Sequence, residues 1–395
     1  MNRRNFLLRG ALGSLGVRAF VGREAQALPC PPPSIQVSGG TQVSTQCGSA
    51  PGTVPAWLQG KDAFQWLPLP STKLASVQSG FTSPGGSKMY VCSYSGGALK
   101  ASGSELFVAG GGHADYAGNE VYSLRLADDT PAWVRRNSPT ATVGSTSVAG
   151  SAYYSDGRPT SRHTYWHLQY CDQRDRLMTF GAAAVWGNGN GNFPTVDGFN
   201  PGTNEYDPAG TYPSQSGIEA VACGVAKDGS GNVYVHNFNS GTLFKWTQSS
   251  NTWSSLGNRG VYNYETAYAC DTRRNRMLRV RGSSTSETTF DLNNGGASSS
   301  ITFTGSSAGS ITGGSLVYDS GADCFWFLKR GSSTLFRVDP VSWAVTVQSV
   351  TGTVPNNSYV DGRHMIYGRF AYCPELRGLV FVKDVDNDAY FIRTA

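Results

Sequence analysis

Charge is scarce in this chain. Asp, Glu, Lys and Arg make up 15% of its 395 residues. No segment after residue 27 is apolar for long enough to span a bilayer. No long stretch with a 3.6-residue hydrophobic period follows residue 27 either, which turns the reading away from helices. Motifs for several chemistries are missing. There is no HExxH or CxxC metal motif, and no nucleophile elbow or Cys-His nucleophile stands out. The eight cysteines are placed badly for a dense disulfide framework. Cys171, Cys223, Cys270 and Cys373 each fall near the end of an apolar strand, as small buried residues do. Cys30 and Cys47, in a Pro/Gly/Ser-rich stretch, are the pair expected to form a disulfide.

Residues 1–27 read as an export signal. Arg3-Arg4-Asn5-Phe6-Leu7-Leu8 is a twin-arginine pattern, a short apolar run follows, and Ala25-Gln26-Ala27 is a small-residue cleavage site. A Sec signal is the alternative, and either route places the protein in the periplasm or outside the cell. The segment carries five arginines and one glutamate, which is +4 of the chain's net +5, so the remainder is close to neutral at +1. The basic balance of the whole chain therefore gives no case for nucleic acid. A partner of negative charge has to be argued from local clusters.

Composition points to strands. The 49 glycines, 12% aromatics and abundant Ser, Thr and Asn suit many short strands joined by tight turns. One apolar strand recurs: Leu106–Gly110, Leu177–Gly181, Val233–Asn237, Met277–Arg281, Phe325–Lys329 and Leu379–Lys383. The first residues are 71, 56, 44, 48 and 54 apart, and after the first interval this is the period of a four-stranded propeller blade. The fold class expected is all-β, a β-propeller of six blades. The long first interval, with Asn137 to Thr160, is an extended loop or a seventh blade. The last repeat ends about one strand short, and Phe64–Leu69 is a spare strand that would close the ring. The domain plan is a signal at 1–27, a lead segment at 28–60 and the propeller at 61–395.

Gly110-Gly111, Tyr122 and Trp133 stand in the glycine-pair, Tyr, Trp order of the kelch repeat, and the chain resembles that family over roughly residues 60–395. In such a ring the end of each second strand and the start of each inner strand meet on one face, around the channel. The second-strand ends supply His113, Asn188, His236, Asn237, Arg281, Lys329, Arg330 and Lys383. The inner-strand starts supply Arg162, His163, Glu219, Tyr262, Tyr264, Tyr367 and Arg369. Cations, His and Tyr around one opening are an anion-binding composition. His113 stands out because Gly110-Gly111-Gly112 before it lets backbone and ligand approach closely.

The motifs Gly-Gly-His, Ser-Arg-His-Thr-Tyr and Tyr-Gly-Arg-Phe also resemble propeller polysaccharide lyases of the ulvan-lyase type. That resemblance implies β-elimination on an acidic, uronate-containing polysaccharide. It puts the glycine-linked catalytic His on His113. By position in the blade it puts the second His on His163, the Tyr on Tyr264 and the neutralising Arg on Arg281. The remaining rim residues, Arg162, Asn188, His236, Asn237, Lys329, Arg330, Tyr367, Arg369 and Lys383, would bind substrate. Two alternatives remain open: a non-catalytic carbohydrate- or protein-binding kelch module, and a periplasmic sugar mutarotase using a Glu such as Glu219 with an Arg. A copper oxidase on a similar propeller needs a Cys, Tyr and His set that cannot be placed here. The expected protein is a monomer that requires no cofactor. Asp384, Asp386 and Asp388 alternate in a loop that reads as an exposed turn, with structural Ca²⁺ as the other option.

Overall fold

The computed structural model describes residues 54–79, 91–141, 151–187, 191–262, 266–281, 286–310, 314–356 and 366–395. Six small sheets stand in a ring, a six-blade β-propeller. Each blade is an antiparallel meander whose first strand lies innermost. Blade one runs through Gly97–Lys100, Glu105–Val108, Tyr122–Arg125 and Trp133–Arg135. Blade three, from Gly224–Lys227 to Thr252–Asn258, blade four, from Ala267–Asp271 to Ala297–Thr302, and blade five, from Gly314–Asp319 to Val345–Val347, repeat the plan.

The recurring apolar strand is the second strand of each blade. It is covered on both faces by neighbouring blades, so its apolar residues run on instead of alternating. Val233–His236 and Gly378–Phe381 are buried at every position. The cysteines are part of this packing. Cys92, Cys171, Cys223, Cys270, Cys324 and Cys373 are buried free thiols. Cys223 precedes its inner strand instead of ending one. Cys30 and Cys47 lie outside the described residues.

The ring closes as the spare strand suggests. Gln65–Pro68 pairs antiparallel with Tyr390–Arg393, in the register Trp66 to Ile392, Leu67 to Phe391 and Pro68 to Tyr390. Thr351–Gly352 adds a short parallel edge outside it. The clasp is tied on both sides: the Thr72 amide donates to Asp388, and the Trp133 indole donates to the Thr72 carbonyl at 2.7 Å. The long first interval contains no seventh blade among the described residues; Tyr153 and Pro159 make an isolated bridge in a loop.

Blade two departs from the plan. The sequence reads as one inner strand from His163 to Cys171. It is instead two pieces, Arg162–His163 and Leu168–Cys171, both paired with the ten-residue strand Arg176–Val185. Thr164–His167 forms a turn between them, with Tyr165 in the left-handed region at φ 38°. The inner strands of all six blades line a channel of about 310 Å³. At one mouth their first residues nearly touch. A Cβ on Gly96 would sit 2.1 Å from the Tyr165 carbonyl oxygen, so only glycine allows that approach.

Candidate functional site

The site begins with the loop after the second strand of blade one. Gly110, Gly111 and Gly112 have φ values of 144°, 110° and 63°, and a Cβ on Gly112 would lie 2.4 Å from the Cα of Arg162. The glycines therefore let this loop lie directly on blade two. The loop is pinned there: the Gly112 amide donates to Ser161 Oγ at 3.0 Å and the His113 amide to the Ala184 carbonyl at 2.8 Å. His113 is exposed, with φ 46°. Two residues on, Asp115 is buried and aims at blade two.

His163 is buried between two partners. Its Nε2 lies 3.0 Å from Asp115 Oδ2 and its Nδ1 lies 2.9 Å from the Tyr165 hydroxyl. An ionised carboxylate only accepts, so Nε2 carries the proton and Nδ1 accepts from Tyr165. Burial holds His163 below its ordinary pKa, and the nearby His113 acts the same way against the Asp115 carboxylate. Tyr94, half-buried, lies over the His163 ring at 4.6 Å between centroids, and the His113 ring is 5.6 Å away. Tyr94, His113 and Tyr165 all have positive φ. Non-glycine residues in that region cluster at functional sites. Tyr367, with φ 44°, brings its ring to 5.4 Å from Tyr165 and 5.7 Å from Trp166, which lines the channel. The cluster thus stands at the channel mouth where blades one, two and six meet.

His113, Asp115 and His163 offer ligand atoms that all lie within 4.8 Å of one another, the one such trio of His, Cys, Asp or Glu among the described residues. Two of the three carboxylates of the Asp384–Asp388 loop have partners within the protein. Asp384 accepts from the Asp386 and Asn387 amides, and Asp388 holds Thr72.

Among the described residues, the remaining rim residues stand apart from this cluster. His236 is fully buried in blade three, with Nδ1 at 3.0 Å from the Tyr268 hydroxyl and Nε2 at 3.1 Å from the Gly241 carbonyl oxygen. Burial, with Arg279 nearby, pushes it down to about 3. Asn237 folds onto its own loop and donates to the Gly217 carbonyl. Arg281 faces Glu287, Nε to Oε2 at 3.7 Å. Arg162 is buried and spends its guanidinium on Asp197 at 2.8 Å and on the Thr160 and Ala152 carbonyls. Arg369 is fully buried and donates to the Ser95 and Val382 carbonyls at 2.9 and 2.8 Å, riveting blade six to the lead into blade one. Tyr262 donates to the His236 carbonyl. Lys383 lies 4.0 Å from Asp384. Lys329 ends the second strand of blade five, Arg330 follows it, and both are half-buried. Glu219 accepts from the Gly217 amide, and among the described residues no arginine pairs with it. Asn188, Tyr264 and His364 lie outside the described residues.

Three members of the cluster were not picked out by the rim reading. Tyr165 had a signal: it is two residues after His163, and i, i+2 residues share a face in extended chain. Asp115 had the nearness of His113, but as a partner for the wrong histidine. Tyr94 had none, because it sits in a loop before its strand. No protein-family model matches the chain, and no curated protein matches it. Among the described residues no helix is long and apolar enough to cross a membrane.

Proposed function

We propose that the chain is an exported polysaccharide lyase on a kelch-type propeller, cleaving a uronate-containing polysaccharide by β-elimination at the channel mouth. The observation that supports this most is His163 held between Asp115 and Tyr165 with the exposed His113 beside it. β-Elimination needs one group to take the C5 proton and another to protonate the leaving oxygen. Asp115 fixes the tautomer of His163 that receives the Tyr165 proton, the orienting role a carboxylate plays in a catalytic triad. Tyr165 passes its hydroxyl proton to His163 Nδ1 and takes the proton from C5. The electrons left at C5 form the double bond and expel the C4 oxygen. Protonated His113 brings a positive charge to the uronate and a proton to that oxygen. Arg281, the neutralising residue by blade position, lies in blade four against Glu287; in this proposal the counter-charge lies with His113, the histidine beside His163.

The test is a screen of anionic polysaccharides for the ultraviolet absorbance of unsaturated uronate. Release of that product from at least one uronate polymer is expected. Saturable, salt-sensitive binding of such a polymer without any product would overturn the lyase reading and favour the binding module.

A further inference from the structure

We infer that His113, Asp115 and His163 form a binding site for one divalent first-row transition metal of the zinc class. Two imidazoles and one carboxylate suit such ions better than Ca²⁺ or Mg²⁺, which favour all-oxygen shells. The geometry is half assembled. In a tetrahedral site with bonds of about 2.0–2.1 Å, neighbouring ligand atoms are about 3.3 Å apart. His163 Nε2 and Asp115 Oδ2 are 3.0 Å apart, already close to that edge. All the spacings of the trio are within 4.8 Å, and the member free to close them by rotating is the exposed His113.

The surroundings are those a metal-bound histidine uses. Such a histidine donates its other ring N–H to an oxygen that fixes its orientation. Tyr165 supplies one at 2.9 Å from His163 Nδ1. With Nε2 on the metal the imidazole takes its other tautomer: its one proton moves from Nε2 to Nδ1, and Nδ1–H donates to the Tyr165 oxygen. The ligand-bearing backbone is held as well. The Asp115 amide donates to the Gly112 carbonyl at 2.8 Å, and the His113 amide crosses to Ala184. Solvent reaches the site at His113, which leaves one coordination position facing the mouth. The inference rests on the proposed reaction only for the ion's use, which would be to supply the counter-charge to the uronate carboxylate in place of His113.

The experiment uses the full chain, stripped with a chelator. Zn²⁺ is titrated by calorimetry, and Co²⁺ is followed by its visible absorption. One Zn²⁺ per chain is expected, with a Co²⁺ band typical of four-coordination. His113→Ala and Asp115→Asn are each expected to weaken Zn²⁺ at least about tenfold. His236→Phe, in the other histidine cluster, is expected to leave affinity unchanged. Circular dichroism and melting confirm that each variant is folded. His113 is exposed, so its variant tests the site even if Asp115→Asn fails to fold. No Zn²⁺ binding by the wild type, or binding equal in wild type and His113→Ala, would overturn the inference. Zn²⁺ bound at the trio with no unsaturated product would sink the lyase reading alone. Product formed at full rate by a chain that binds no Zn²⁺ would sink the metal alone.

Discussion

His163 in blade two and His236 in blade three sit in almost the same surroundings. Each receives a tyrosine hydroxyl at Nδ1, from Tyr165 at 2.9 Å and from Tyr268 at 3.0 Å. Each has a second tyrosine laid over its ring, Tyr94 at 4.6 Å and Tyr262 at 4.7 Å. Burial lowers both pKa values. The clusters part at Nε2 and at the next neighbour. His163 meets a carboxylate and has the exposed His113 beside it, whereas His236 meets the Gly241 carbonyl and packs against Phe290 at 5.3 Å. A carbonyl can satisfy an imidazole but cannot hold an imidazolium as a carboxylate can. The same residue types thus make a cluster with a carboxylate and an exposed histidine at its edge in one blade and a closed core in the next. The difference lies in one loop, Gly110–Tyr116, that reaches across from blade one.

Breaking the open cluster should have the largest effect. His163→Ala, Asp115→Asn and Tyr165→Phe are each expected to lower turnover about 10²–10⁴-fold, the scale of a lost general acid or base, and His113→Ala about a hundredfold. Steady-state rates on the cleaved polymer, normalised to folded protein, check this. Full activity in all four would end the comparison.

Breaking the closed cluster should act on stability instead. His236→Phe removes one hydrogen bond from the Tyr268 hydroxyl and one from the Gly241 carbonyl, which keeps the Arg259 amide, at a cost of roughly 1–3 kcal/mol. Turnover per folded molecule should not change. The acid limb should also become shallower. The folded pKa of His236 is depressed from 6.5 to about 3. Its contribution is therefore present above pH 6.5 and is lost as pH falls through that window toward 3, and the variant has none to lose. Denaturant melts at several pH values report both effects.

A smaller effect sharpens the boundary between buried polar groups and rim charge. Glu287 is buried beside Arg281 and Arg279, and burial raises it to about 8 against the pull of both arginines. A raised carboxyl favours the folded state below its ordinary value of 4.5, and this stability is lost as pH rises through 8. The wild type should therefore melt several degrees lower at pH 8.5 than at pH 5.5, and Glu287→Gln should flatten that slope. An unchanged slope would place the titration elsewhere.

The fold was legible because its signals are ones of chain order. Second strands packed on both faces carry continuous apolar runs, and the missing last strand had its counterpart at Phe64–Leu69. The rim was legible as backbone only. His236 and Arg369 do stand at strand ends, but their side chains turn between blades, and nothing in a single sequence says which way a terminal residue turns. His113 was visible because three glycines in a row announce a close approach. The Asp115–His163 pairing was not, because it joins two blades across 48 positions. The break at Tyr165 hid it further, since alternation along an unbroken strand carries no sign of a residue at φ 38°.

The most direct measurement is a paired initial-rate assay of His163→Ala and His236→Phe on a uronate polymer, following unsaturated product per mole of folded chain. The first variant should fall by about 10²-fold or more and the second should match the wild type. Equal rates in the two variants, or loss confined to His236→Phe, would contradict it.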